Sequence, residues 1–144
     1  MLFELIATLC AGLFAGAAIY ITFVEHPARL ECGTMLAATE FVPSYRRATF
    51  MQASLAALGL IAALAAWARG RGPEVLVAGV LLGLVIPFTL IVILPTNTRL
   101  LDRELDRGSP EAAALLARWG RLHAVRSGAS GIAFALLVWH LAHG

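Results

Sequence analysis

Val75-Leu-Val-Ala-Gly-Val-Leu-Leu-Gly-Leu-Val-Ile-Pro-Phe-Thr-Leu-Ile-Val-Ile-Leu94 runs from end to end without a charged side chain. A helix rises about 1.5 Å per residue, so this stretch is long enough to cross a hydrocarbon core of roughly 30 Å. Similar runs occupy about 2–24, 47–68 and 122–142. The chain of 144 residues is 60% hydrophobic and 14% charged, with a mean hydropathy of +0.81, which excludes an ordinary soluble domain. The expectation is therefore one domain, 1–144: an all-α integral membrane four-helix bundle with a long first loop and a fourth helix that extends beyond the bilayer.

Working outward from 75–94, Gly79 and Gly83 form a small-residue stripe on which a neighbouring helix can pack closely. Gly12 and Gly16 make a second stripe on the first segment, and these faces could also hold a homo-oligomer. Pro87 frees the carbonyl of Gly83 and predicts a kink. Pro95-Thr96-Asn97 is expected to close the third segment, and the alternating charges of Thr98-Arg-Leu-Leu-Asp-Arg-Glu-Leu-Asp-Arg107 to form a short solvated helix beyond it. Ser109, Pro110 and Glu111 read as the N-cap and first turn of a fourth helix that continues to about Ala142. Its first turns, with Arg118 and Arg121, should project into water.

The first segment ends at Glu25-His26-Pro27, where the proline should push His26 into extended backbone. Residues 28–42 then read as a long apolar loop lying on the membrane surface or over a site. The second segment starts under Tyr45-Arg46-Arg47, with Gln52 about one turn inside, and ends in the turn Arg69-Gly-Arg-Gly-Pro73. The N-terminal segment lacks a basic leader region and reads as a retained helix. Cys10 and Cys32 make no metal motif and no expected disulfide.

All eleven basic residues are Arg. Nine fall in loops one and three and the start of segment four, and two in the second loop, which predicts loops one and three in the cytoplasm and both termini outside. The expected location is the bacterial inner (cytoplasmic) membrane, with membrane lipid and a hydrophobic small molecule as partners. A net charge of +2 without a basic run excludes nucleic acid.

This back-and-forth path gathers the chemistry-bearing residues at one membrane face. Glu25 and His26 end segment one, and Tyr45, Arg46 and Gln52 open segment two. Asn97 ends segment three. Trp119, His123, Arg126 and Ser130 follow at helical spacing on segment four. Polar groups near the membrane interior are costly and need partners or a function. An imidazole, a permanent cation and an aromatic plate on one face suit an oxyanion or phenolate. Taken singly, each is also an ordinary interfacial residue. Glu4, Trp67, Trp139, His140 and His143 at the other face read as an aromatic belt and a solvated terminus.

The Glu25-His26-Pro27 end, the Pro-Ser-Tyr-Arg-Arg-Ala run at 43–48 with Gln52, the Pro95-Thr96-Asn97 turn and Arg118-Trp119-Gly120-Arg121-Leu122-His123-Ala124-Val125-Arg126 together resemble the anthrone oxygenase-like family of small four-helix membrane proteins. The resemblance implies oxidation of an anthrone or related phenol by dioxygen. It maps the family's polar positions onto His26, Asn97, Trp119, His123 and Arg126.

Three readings follow. In the first, an oxidoreductase uses His26 or His123 as base and Arg126 with Asn97 as oxyanion partners. Trp119, Tyr45, Arg46 and Gln52 bind the substrate, and dioxygen reacts without an obligatory cofactor. In the second, Glu25, His26 and His123 hold iron, copper or haem. In the third, the chain is a non-enzymatic accessory subunit. A transporter fits less well, because no charge lies mid-bilayer.

Overall fold

The computed structural model describes residues 1–144 and contains only helices and short connections. Helix α1, Leu2–Tyr20, passes through a π turn at Ile21–Glu25 into α2, His26–Glu31. Helix α3 is Thr34–Trp67. Helix α4, Pro73–Phe88, passes through a second π turn at Thr89–Ile93 into α5, Leu94–Leu101, and α6 is Pro110–His143. Joined through the π turns, they make four membrane-length spans: Leu2–Glu31, Thr34–Trp67, Pro73–Leu101 and Pro110–His143. The expected four-helix membrane bundle is the observed fold.

The spans form a square. α1 packs on α3 and α6, and α4 packs on the same two, while the diagonal pairs barely touch. One half of the core is built from small residues, including Ala7, Ala11, Ala18, Ala56, Ala63, Ala78 and Ala133. Without a hydrophobic drive between helices in lipid, such close backbone packing is what holds them together. A Cβ on Gly83 would stand 2.7 Å from Leu60 and one on Gly12 would stand 2.8 Å from Phe134, while one on Gly79 would overlap Ala63. These glycines are therefore consumed inside the chain, and of the two stripes only Gly16 faces open space. The other half of the core is bulkier and contains Phe41, Ile93, Leu100, Leu116 and Trp119. Large apolar side chains such as Leu9, Leu13, Ile61, Leu84 and Ile91 point outward, as a lipid-facing surface requires.

Several sequence expectations are corrected. The long first loop is helical: α2 and α3 are separated only by Cys32 and Gly33, and Gly33 adopts a positive φ of 89°. Ala37, Ala38 and Phe41, read as loop residues, are fully buried, so burial and not exposure organises this stretch. His26 is helical, with φ −66° and ψ −46°, not extended. Pro95 does not close the third span, which continues to Leu101, and the charged segment after Asp102 consists of turns, not a helix.

Both misread prolines follow a π turn that ends two residues earlier, at Glu25 before Pro27 and at Ile93 before Pro95. The residue just before each proline bonds five positions back, His26 N–H to Ile21 and Leu94 N–H to Thr89. A wider turn moves the carbonyl that a proline ring would otherwise strike, and the helix survives.

The start of α6 is as expected, with Ser109 Oγ accepting from the Ala112 N–H at 3.1 Å and Pro110 in the first turn. His140, expected to be solvated, is buried. Its Nδ1 lies 2.6 Å from Glu74 and its Nε2 3.8 Å from the equally buried Glu4. Glu4 also pairs with Arg71 at 2.8 Å and with the N-terminal amine, so this network ties three spans and their connection together.

Candidate functional site

At the bulky end of the bundle, Trp119 is 5% exposed and stands at the centre of an aromatic cluster. Its indole stacks on His123, with centroids 4.6 Å apart and planes 25° apart, and is tilted against His26 at 5.1 Å. Phe41 meets it edge-on at 5.1 Å and stacks in turn on Tyr45. The i, i+4 spacing on α6 brings Trp119 and His123 together, and the π turn in the first span carries His26 to the indole's other neighbours.

The hydrogen-bond network assigns the two imidazoles opposite tautomers. His26 Nε2 lies 3.1 Å from the Leu116 carbonyl, which can only accept, so Nε2 carries the proton and Nδ1 keeps a lone pair. That Nδ1 is buried and unpartnered. The approach depends on Gly120, where a Cβ would lie 2.7 Å from His26 Nε2. For His123, Ser127 Oγ donates to the Ala18 carbonyl at 2.9 Å. Thr22 Oγ1 must then donate to Ser127, at 2.7 Å, and accept from His123 Nδ1, at 3.1 Å. In the neutral ring this leaves the lone pair of His123 on Nε2.

Two cavities adjoin the cluster. A small one of about 20 Å³, room for roughly one water, is lined by Arg29, Ser44, Gln52, Trp119, His123 and Arg126 among others. A larger apolar chamber of about 110 Å³ lies between α3 and the third span, with Phe14, Ala53, Ala56, Val85, Ile86 and Leu90 in its walls. Tyr45, Thr49, Gln52 and Arg126 border both. The Arg126 guanidinium donates to Gln52 Oε1 at 2.8 Å and lies 5.5 Å from the Phe14 ring centroid. It makes no ion pair. Arg126 Nε and Gln52 Nε2 are buried donors without partners.

The sequence-predicted residues divide into groups. His123, Arg126, Gln52, Tyr45 and Trp119 line the cavities. His26 sits behind Trp119 and lines neither. Asn97 also lies behind the wall, where its amide donates to Tyr45 Oη at 3.0 Å and its Oδ1 is left unpartnered. Arg46 is exposed and apart from the cluster. Glu25 turns away from both histidines, accepting from Arg29 and from Ser44 Oγ at 2.8 Å. No group of three His, Cys, Asp or Glu side chains is arranged to hold a metal ion. With Glu25 held by Arg29 and Ser44 and turned from both imidazoles, the set Glu25, His26, His123 read as holding iron, copper or haem is not assembled, and these residues do not fit such a group.

Sequence reasoning missed Arg29, Thr22 and Ser127. Arg29 is buried and bound by Glu25, Ser44 and Glu40, with its guanidinium 5.9 Å from both the Phe41 and Trp119 rings. Its i, i+4 spacing from Glu25 was the available signal. Ser127 stands at the same spacing from His123, whereas Thr22 carried none.

The profile of the family described as anthrone oxygenase matches residues 41–136, two thirds of the chain. The chain belongs to the anthrone oxygenase family. No curated protein and no solved structure matches it. As a member of the anthrone oxygenase family, the chain has Gln52, Asn97, Trp119, His123 and Arg126 inside the matched span, and Thr22 and His26 outside it.

Proposed function

We propose that this protein is a membrane oxidoreductase that oxidises a hydrophobic phenol- or anthrone-like aromatic with dioxygen. The observation that carries the reading is the Arg126 guanidinium, which has no carboxylate partner and lines an apolar chamber beside Gln52. An uncompensated guanidinium inside a membrane bundle is costly, and an oxyanion developing on the substrate offsets that cost.

In this reading a water in the small cavity relays the acidic proton of the substrate to His123 Nε2, because His123 lines that cavity and not the chamber. Arg126 and Gln52 hold the resulting oxyanion, and the electron-rich ring is oxidised by dioxygen. An anthrone methylene would become a carbonyl, with the dioxygen divided between product and water. Tyr45 and Trp119 shape the site. Asn97 fixes the Tyr45 hydroxyl and His26 fixes the indole, so both act as positioning residues. Family membership supports the class of chemistry.

The test is oxygen uptake by the purified protein in lipid nanodiscs with a panel of anthrones and phenols. Uptake should fall by roughly 100-fold or more in Arg126→Met, the loss typical of removing one oxyanion donor. It should be nearly abolished in His123→Ala. Uptake equal in wild type and His123→Ala would overturn the reading.

A further inference from the structure

We infer that the groove between α1 and α3, at the bulky end of the bundle, seats one bilayer phospholipid with a primary ammonium headgroup, a phosphatidylethanolamine. The ammonium binds at Glu25 and Glu40, the phosphate at Arg47, and an acyl chain runs inward past Ala48 toward Ala17.

Depth in the membrane supports it first. The groove holds about 540 Å³ and is open on its outer side. Glu25, Glu40, Ser44 and Arg47 line one end, and Ala17 and Met51 the other. The two helices run antiparallel here, with Ser44 Oγ donating to Glu25 Oε1 at 2.8 Å, so chain numbers fall along α1 and rise along α3 from that level inward. Arg47 precedes Trp67 by 20 residues, about 30 Å of helix, which is one hydrocarbon thickness. Trp67, half exposed at the far end of α3, marks the opposite boundary. The charged end of the groove therefore stands at headgroup depth. Ala17 precedes Glu25 by 8 residues and lies about 12 Å deeper, among acyl chains.

Charge supports it second. Glu25 and Glu40 both pair with the buried Arg29 guanidinium, so two carboxylates share one cation and a negative charge is left over. The Arg29 and Ser44 contacts of Glu25 fall on Oε1, and the Arg29 contact of Glu40 falls on Oε2. The second oxygen of each carboxylate is free to accept. Arg47 lines the same groove, is exposed, and pairs with no carboxylate. A free guanidinium is a phosphate ligand, and the carboxylates beside it repel a headgroup of net negative charge. A primary ammonium brings three N–H donors to the free carboxylate oxygens, whereas the trimethylated headgroup of a choline lipid has none. The pattern of one free cation beside surplus carboxylate is thus the complement of a zwitterion that can donate.

The floor of the groove supports it third. Ala17 and Ala48 leave room for a chain between the helices. Ile21, Ser44 and Ala48 line both the groove and the small cavity beside His123. A lipid seated on this shared wall covers the cavity from the bilayer side.

The experiment is native mass spectrometry of the full chain released from detergent. The protein is titrated with phosphatidylethanolamine, its N-methyl and N,N-dimethyl derivatives, phosphatidylcholine and phosphatidylglycerol, all with the same acyl chains. Affinity for the first lipid should fall stepwise with methylation, to roughly tenfold weaker for phosphatidylcholine, the loss expected for a hydrogen bond to a charged group. Phosphatidylglycerol should also bind more weakly than phosphatidylethanolamine. Glu40→Gln should remove most of the preference for ethanolamine over choline. Arg47→Gln should weaken both lipids and keep their ratio. Arg46→Gln, outside the groove, should change neither. Ala17→Phe, which fills the acyl end, should weaken every lipid, and circular dichroism checks that each variant is folded. Equal affinity for ethanolamine and choline lipids would overturn the inference, as would tighter binding of phosphatidylglycerol or an ethanolamine preference that survives Glu40→Gln. Should Glu40→Gln fail to fold, Ala17→Phe decides, because unchanged ethanolamine-lipid affinity in that variant overturns the inference as well.

Discussion

Gly120 is the position where one methyl group tests how His26 is held. A Cβ there would lie 2.7 Å from His26 Nε2 and 2.8 Å from Cδ2. The ring cannot yield freely, because it is wedged against Trp119 and bonded to the Leu116 carbonyl. Overpacking of this kind costs about 1–3 kcal/mol, and the lost hydrogen bond about 1 kcal/mol. Replacing a helical glycine by alanine returns about 0.5–1 kcal/mol. Gly120→Ala should therefore destabilise the bundle by about 1–3 kcal/mol. With His26→Ala in place the obstacle is gone, and the same substitution should be neutral or stabilising by up to about 1 kcal/mol. The cycle of the two single variants and the double variant should show a coupling of about 1–4 kcal/mol, within or slightly above what contacting residues give. Reversible unfolding in detergent micelles, followed by circular dichroism, measures all four proteins. Additivity within about 0.5 kcal/mol would mean that Gly120 does not seat His26, and the placement of that ring behind Trp119 would be wrong.

Thr22→Val removes the acceptor that fixes His123 Nδ1–H; nitrogen NMR of labelled histidine should show one defined tautomer in wild type and a mixture in the variant, with Thr22→Ser restoring the first pattern. Asn97→Leu should lower substrate affinity by roughly tenfold through loss of the Tyr45 contact, with fold retained, as titration against Asn97→Asp and Tyr45→Phe would show. Glu4→Ala takes the carboxylate from half-exposed Arg71 and the N-terminal amine and leaves buried His140 with Glu74 alone, so the melting temperature in detergent should drop by several degrees while ligand binding at the other end is unchanged. Gly79→Val should separate α3 from α4 and destabilise by about 2 kcal/mol or more, measured by the same unfolding assay.

The number and polarity of the spans were legible because an uncharged run such as 75–94 has one stable solution in a bilayer. The stripe Trp119, His123, Arg126 was legible because helical spacing alone puts those residues on one face. What lay outside local pattern was not. The stretch 28–42 lies between Pro27 and Pro43 and contains Gly33, so it reads as loop, yet Ala37, Ala38 and Phe41 are buried by contacts with other spans. His140 near the end of the chain reads as solvated until Glu4 and Glu74, distant in sequence, are seen beside it. Glu25 next to His26 suggests a joint site, but adjacent residues on a helix diverge by about 100°. The carboxylate goes to Arg29, one turn on.

The two prolines connect the misreadings to the site. Pro27 and Pro95 were read as helix ends, which is the usual consequence of a missing N–H and a crowding ring. Here each is preceded by a π turn that re-registers the helix instead of stopping it. A π turn adds one residue to the turn, so every side chain after it is rotated relative to an unbroken α-helix. His26 is the first residue after one such turn, and Asn97 stands four residues beyond the end of the other. In an unbroken α-helix those positions would be rotated away from their present directions, toward Trp119 and Tyr45 respectively. The second π turn also borders the chamber, with Thr89 and Leu90 in its wall. The same kind of local irregularity therefore aims the side chains behind the site and lines the cavity in front of it. Pro27 and Pro95, tolerated inside membrane helices, are in this fold pointers to the end of the bundle that carries the candidate site, and not to the end of the helix.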